Sequence, residues 1–134
     1  MHAMPWADTL ARVLLVGMFP FSALDKLLHW SAAKKQAASS FPPGAAGMVV
    51  AAMLLEVAAP VCIVADWHAR VAALLLAGFC VVTALLYHPF WREGDFWAQG
   101  DSVDRTHFWD FTKNFGLAGG LLLVALGAGL APLT

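Results

Sequence analysis

The stretch that decides the fold is residues 44–88, which read GAAGMVVAAMLLEVAAPVCIVADWHARVAALLLAGFCVVTALLYH. Two apolar runs, 44–65 and 69–88, are separated only by Asp66-Trp67-His68. A bilayer core about 30 Å thick is crossed by about 20 mainly apolar residues in a helix. Because so short a connection joins only antiparallel neighbours, this stretch predicts a hairpin of two membrane-crossing helices.

Two further apolar runs, 6–24 and 111–131, flank this hairpin at the ends of longer connections, 25–43 and 89–110. Together the four runs predict an all-α integral membrane four-helix bundle with antiparallel up-down topology, and residues 1–134 as a single transmembrane domain. The first run lacks a preceding basic segment and contains Arg12. We therefore expect a retained helix there and not a cleaved signal peptide.

Composition excludes several classes of protein. Of the 134 residues, 60% are hydrophobic and 13% are charged, which is typical of neither a soluble domain nor a disordered chain. The formal net charge of −1 argues against a nucleic-acid partner. The two cysteines, Cys62 and Cys80, supply neither a disulfide framework nor a thiolate metal site, and no metal is predicted. The expected environment is the lipid bilayer.

The distribution of basic residues predicts an orientation. Six of the eight Lys and Arg residues lie on the side of the long connections, and two, Arg12 and Arg70, lie on the side of the termini. Because basic residues accumulate in the cytoplasm, this bias favours N and C termini outside.

Two charged residues lie at membrane depth. At 1.5 Å per residue, Arg12 lies about 9 Å and Glu56 about 15 Å from the side of the termini. We therefore predict an Arg12–Glu56 ion pair, either purely structural or part of a site. Pro60 leaves the carbonyl of Glu56 without a helical partner, which predicts a bend beside the carboxylate.

Polar side chains also converge at the opposite ends of three helices. Each alone is an ordinary interfacial residue, but their coincidence at one level predicts a site. The set comprises Asp25, Lys26, His29, Thr83, His88, Lys113 and Asn114. Trp91 belongs to an aromatic connection, 89–110, that serves as a membrane belt, as a docking surface for a partner, or as a cover over a flat lipophilic ring such as a quinone.

Other chemistries have less support. Phosphate-binding loops and hydrolase motifs are absent from the sequence. Haem b between two of His29, His88 and His107 is conceivable, but no two histidines lie deep inside adjacent predicted helices. We therefore disfavour haem.

Several of these residues, in their order along the chain, resemble the DoxX family of small bacterial membrane proteins. The resemblance rests on Arg12, Lys26, Glu56 after Leu-Leu, His88 before Phe90-Trp91, and Lys113-Asn114 before a Gly-Gly-Leu-Leu helix. Pro20 and Asp25 depart from the family pattern. The resemblance implies a four-helix protein of the bacterial cytoplasmic (inner) membrane, in a family named for subunits of quinol oxidase and thiosulfate:quinone oxidoreductase complexes.

From the resemblance and the residues together, we expect a membrane subunit of a quinone-linked oxidoreductase or respiratory complex. Glu56 and His88 would move protons, and Lys26, His29, Thr83, Trp91, Lys113 and Asn114 would bind the ring. Because the chain encodes no redox centre, electrons would come from a partner protein subunit. The alternative is a non-catalytic docking subunit that anchors a partner through the connection 89–110. A transporter is less favoured, because no inverted repeat is evident.

Overall fold

The computed structural model describes residues 5–40 and 42–130, with side chains described for 6–40 and 42–127. These residues form six α-helices and one 3-10 turn, and they contain no strand. The all-α prediction is confirmed. The elements, in chain order, are α1 Pro5–Val16, α2 Met18–Leu28, α3 Trp30–Ala38, a 3-10 turn Pro42–Gly44, α4 Ala45–Val64, α5 Ala69–Tyr87 and α6 Val103–Leu130.

The first predicted helix is interrupted at Gly17, between α1 and α2. Pro20 has no amide hydrogen, so the Val16 carbonyl lacks its helical donor at this point. The turn is tight, since a Cβ added to Gly17 would lie 2.7 Å from the Val13 carbonyl oxygen. Glycine is therefore the residue that fits the junction.

Three helical stretches in the described residues are long and apolar enough to cross a membrane: Trp6–Leu28, Pro42–Val64 and Ala69–Tyr87. They agree with the first three predicted spans to within a few residues. The fourth predicted span, 111–131, falls within α6, and its last residue lies outside the described residues. α6 begins earlier than expected, at Val103, and its 28 residues are about 42 Å long, more than the thickness of a bilayer core.

The connection 25–43 contains a helix, α3, that the apolar pattern did not predict. Its sequence, WSAAKKQAA, is rich in good helix formers. α3 packs against α4, where Ala37 contributes to a small core with Ala45 and Val49. The Ser40 hydroxyl, just after α3, lies 2.6 Å from the Tyr87 hydroxyl at the end of α5.

The main core is formed by α4, α5 and α6 together with Val16 of α1 and Phe19 of α2, and it is built largely from small residues. Ala59, Ala73, Ala77 and Ala118 are buried there beside larger residues such as Leu121. Small side chains let helix backbones approach closely, which favours packing within a membrane.

Large apolar side chains cover the outer surface of the helices. Leu14, Phe21 and Leu123 are 73%, 75% and 72% exposed. A surface of this kind is stable in contact with lipid and not with water. The lipid bilayer is therefore the solvent of these helices.

Two carboxylates organise the connection between α5 and α6. Asp104, which is 1% exposed, accepts backbone amides from Glu93 at 3.0 Å, Gly94 at 2.6 Å and Asp95 at 3.2 Å. Asp95 in turn accepts the amides of Val103 at 2.8 Å and Asp104 at 2.9 Å, at the start of α6. These hydrogen bonds lower the pKa of Asp95 below its usual range, and the bond from the Asp104 amide has the largest effect. We call Asp95 and Asp104 the reciprocal carboxylate pair.

Arg105 and a cluster of aromatic rings complete the packing of this connection. The Arg105 guanidinium donates to the carbonyls of Phe96 and Ala98 at 2.9 Å each, and to that of Gly100. The rings contact one another mostly edge to face, and the set comprises Phe90, Trp91, Phe96, Trp97, Phe108, Trp109, Phe111 and Phe115. The connection therefore folds onto itself and onto the first half of α6.

Candidate functional site

A cavity of about 400 Å³ lies between α2, α3, α4 and α5, with Asn114 of α6 also in its wall. Its volume is within the range of small-molecule sites, about 300–1,000 Å³. Most of the wall is apolar, with Phe19, Leu55 and Phe79 among its larger residues. Helices α2 and α5 both pack against α4, and the cavity occupies the space between them.

An ion pair from two helices lines this cavity. Lys26 Nζ of α2 lies 2.7 Å from Glu56 Oε1 of α4 and donates to Ser22 Oγ at 2.9 Å. Glu56 is 2% exposed and the Lys26 side chain 24% exposed. The pair therefore places two charges at membrane depth, where each offsets the other's loss of hydration.

The predicted Arg12–Glu56 ion pair is wrong. Arg12 Nη1 donates to the Ile63 carbonyl at 2.7 Å and lies 3.3 Å from Asp66 Oδ1, while Arg12 Nε lies 3.0 Å from Asp8 Oδ2. The Arg12 guanidinium thus donates a hydrogen bond to a carbonyl in the last turn of α4. Carbonyls in the last turn of a helix have no amide donor from a following turn of the same helix, and the helix dipole favours a positive charge there.

Side-chain direction explains this error. Side chains on a helix lean toward its N-terminus. Arg12 therefore leans toward Asp8 and the membrane surface, away from Glu56. Lys26 starts from the other end of the same segment, leans toward Ser22, and so reaches inward to Glu56.

The second polar part of the cavity wall comes from α5, its end and α6. Thr83 Oγ1 donates to the Cys80 carbonyl at 3.0 Å and lies 3.5 Å from Asn114 Oδ1. The side-chain amide of Asn114 donates, through Nδ2, to the backbone carbonyl of Asp110 at 2.8 Å. Thr83, Asn114 and His88 therefore present donors and acceptors beside the apolar wall.

His88 lies one residue beyond α5 and contacts α6. Its Nδ1 is 3.3 Å from His107 Nδ1 and 3.7 Å from Asp110 Oδ2. Partial burial lowers the pKa of His88 below its usual value of 6.5, against the opposing effect of Asp110. The two histidine rings thus face each other through their Nδ1 atoms.

The structure brings together most, but not all, of the residues expected at the site. Lys26, Glu56, Thr83, His88 and Asn114 all line the cavity. His29, Trp91 and Lys113 are exposed and are not among its lining residues. The connection 89–110, expected as one possible cover, contributes none of the lining residues, and α3 contributes Ala33, Gln36 and Ala37. Within residues 5–40 and 42–130, no three of His, Cys, Asp and Glu are grouped as a metal site.

Sequence reasoning missed two parts of this region. Gln36 lies in a connection that showed no membrane-length apolar run. His107 and Asp110 were assigned to a connection, yet they share one face of α6 with Asn114, at spacings of three and seven residues. That spacing was visible in the sequence and is the signal that would have found them.

The geometry supports binding of a neutral lipophilic molecule with polar ends. The ammonium of Lys26 has three donors, of which Ser22 and Glu56 accept two. The apolar wall would exclude water, and the polar groups would orient the ligand.

The model of the DoxX family matches residues 7–89, which include all of the cavity wall except Asn114. The chain belongs to the DoxX family. The resemblance read from the sequence is thus confirmed, although its Lys113-Asn114 element lies outside the matched residues.

This DoxX chain is also 28% identical over 126 residues to the inner membrane protein YphA of Escherichia coli K12, covering 92% of this chain and 84% of that protein. No solved structure matches the chain significantly. The expected location in the bacterial inner membrane is confirmed by that relative and by the three apolar helices.

Proposed function

We propose that this chain is a membrane subunit of a quinone-linked oxidoreductase or respiratory complex, and that the cavity holds a quinone or a similar lipophilic ring. The observation that carries the proposal is an apolar cavity of about 400 Å³ that has hydrogen-bonding side chains from different helices. Flat rings with polar ends are the ligands that such a wall favours.

The side chains divide into two groups with different tasks. Lys26 offers its remaining ammonium proton to one carbonyl of the ring, while Glu56 and Ser22 fix its position. Thr83, Asn114 and His88 serve the other polar end. His88 holds or moves protons there, and Glu56 does so at the Lys26 end. Lys113, His29 and Trp91 were also expected to bind the ring, but they are exposed outside the cavity and are left out of the proposal.

The proposed electron source is a partner protein subunit. The bound quinone would supply two-electron, two-proton chemistry. The chain's own contribution is to bind the ring, exclude water from it and deliver protons. Four antiparallel spans in one domain, with both termini outside, complete the proposed arrangement, and α6 would provide the fourth span.

Binding of a short-chain quinone tests the proposal. The chain is reconstituted in lipid nanodiscs, and binding of decylubiquinone and menadione is measured by equilibrium dialysis. Thr83→Val removes a cavity hydroxyl and is expected to weaken binding about 5- to 20-fold, in line with loss of one hydrogen bond. Thr112→Val is the matched control, because Thr112 lies on α6 outside the cavity.

Two results would contradict the proposal. The first is the absence of saturable binding by the wild-type protein. The second is an equal effect of Thr83→Val and Thr112→Val on the dissociation constant, since the cavity would then make no specific contribution.

A docking role is the second candidate, and one observation favours it. Trp97 is 89% exposed on a connection that is held firmly by Arg105 and the reciprocal carboxylate pair. Exposed tryptophans on a rigid surface are common anchors for partners. Trp97→Ser is expected to release a stoichiometric partner on purification in mild detergent, whereas Trp67→Ser, at the 65–68 turn, is the control. Retention of the partner by Trp97→Ser would argue against this role.

A further inference from the structure

A second, smaller pocket of about 190 Å³ lies next to the cavity, beyond the end of α5. Its wall is polar and includes Gln36, Ser39, Arg92, Glu93 and His107. Gln36, Leu86 and Tyr87 border both spaces, so the two are neighbours. We call the smaller space the loop-side pocket.

Two histidines link these spaces. His88 lines the cavity and His107 lines the loop-side pocket, and their Nδ1 atoms are 3.3 Å apart. At this distance one Nδ1 carries a hydrogen and the other accepts it, so the two rings share a hydrogen bond. Proton transfer along such a bond requires only a small approach of the two rings.

We infer that His107 and His88 form a proton path from the loop-side pocket to the cavity. The inference rests on the proposed function, because a ring that is reduced in the cavity must receive protons there. Met18 and Val82 are exposed apolar residues of the cavity wall, and their side chains carry no proton donors. The pair of histidines provides a connection of titratable groups to the loop side, beside Gln36 and the Tyr87 hydroxyl.

One proton moves from the loop-side pocket to the ligand in three steps. A hydronium ion in the loop-side pocket gives a proton to His107 Nε2 and becomes water. His107 passes its Nδ1 proton to His88 Nδ1, and His88 releases its Nε2 proton to the ligand oxygen. Both rings end in the opposite neutral tautomer, and exchange of ring protons with water resets them.

The surrounding charges suit this direction of transfer. Asp110 faces His88 at 3.7 Å from α6, and Glu93 and Arg92 border the loop-side pocket together with the Tyr87 hydroxyl. Partial burial favours a neutral His88, which accepts a proton at Nδ1. The carboxylate of Asp110 stabilises the transient positive charge.

The first test needs no ligand. Nuclear magnetic resonance of ¹⁵N-histidine-labelled protein in nanodiscs is expected to show a scalar coupling between the Nδ1 atoms of His88 and His107, which only a shared hydrogen bond transmits. His107→Phe removes the coupling. If the wild-type spectrum lacks it, direct transfer between the rings is overturned.

The second test follows protons into the cavity. The dye 2-hydroxy-1,4-naphthoquinone changes colour when protonated, so a stopped-flow pH jump reports proton arrival at the bound dye. His107→Phe is expected to slow protonation of the bound dye by at least about tenfold, in line with loss of a proton-transfer group. The equilibrium titration of the bound dye is expected to stay unchanged. His29→Phe, an exposed histidine outside the cavity, is the matched control and leaves the rate unchanged.

Chemical rescue separates proton transfer from packing. In His107→Ala, added imidazole is expected to restore the rate, whereas pyrazole, which has the same size and is far less basic, does not. Equal rescue by both compounds would assign His107 a packing role and overturn the inference. Unaltered kinetics in His107→Phe with normal dye binding would overturn the path alone, whereas failure of the wild type to bind dye would overturn the proposed function as well.

Discussion

Replacing Lys26 by methionine tests the electrostatics of the cavity most directly. The change removes the cation but keeps an apolar chain of similar length, so it leaves the Glu56 carboxylate, 2% exposed, without its partner. At the observed 2.7 Å, Coulomb attraction at an effective dielectric constant of 20 amounts to about 6 kcal/mol. Desolvation of both ions offsets much of it, and breaking one side of a buried pair costs about 3–5 kcal/mol.

A double-variant cycle isolates the pair. Lys26→Met, Glu56→Gln and the combination are unfolded with sodium dodecyl sulfate in mixed micelles, and the free energy of unfolding is followed by tryptophan fluorescence. We expect the combination to be more stable than the sum of the single losses predicts, with a coupling energy of about 2–4 kcal/mol. Lys35→Met, an exposed lysine on α3, is the control and should change stability by less than about 0.5 kcal/mol.

Additivity would refute this reasoning. If the two single changes sum to the effect of the combination within about 0.5 kcal/mol, Lys26 and Glu56 do not interact in the membrane-embedded protein. The positions of the charges in the cavity would then need to be redrawn.

Three further predictions concern local features. Gly17→Ala is expected to lower stability by about 1–3 kcal/mol in the same unfolding assay, because its Cβ meets a backbone oxygen at 2.7 Å, whereas Gly78→Ala meets nothing within 4 Å and should not destabilise. Arg12→Met removes a charge-assisted bond of 2.7 Å to a helix end and should cost about 1.5–3 kcal/mol; no loss would argue against that capping role. The Asp104 amide keeps the pKa of Asp95 below 3.8, so the stability that Asp95 contributes is present above that value and is lost as pH falls through the lowered pKa. Asp95→Asn should therefore lose stability at neutral pH and approach the wild type in acid, and a constant difference across this pH range would contradict the assignment.

The positions of the membrane helices were predictable because the bilayer imposes a length on apolar runs. Residues 44–65 and 69–88 needed only this rule and the short Asp66-Trp67-His68 connection. This rule did not predict α3, because its sequence, WSAAKKQAA, is too polar and too short to indicate a membrane-spanning helix. Its helical character comes from residue propensity and from packing against α4, which a hydropathy argument does not contain.

The candidate site was predicted in part. The convergence of Lys26, Thr83, His88 and Asn114 was predictable because all four lie at the same level near the helix ends. The identity of the partner of Glu56 was not predictable in this way. Depth along the membrane was the wrong measure for Arg12, because the lean of each side chain decides what it reaches. His107 was placed in a connection because α6 was expected to begin at residue 111, whereas its start at Val103 is set by the reciprocal carboxylate pair.

The two carboxylates of that pair are nine residues apart in sequence, and one of them lies at the start of α6. The amides of residues 93–95 therefore have no carboxylate to bind until translation has passed residue 104. The segment after α5 therefore gains these hydrogen bonds only together with the first turn of α6. Resistance of this segment to proteolysis is thus expected to report whether the start of α6 has folded.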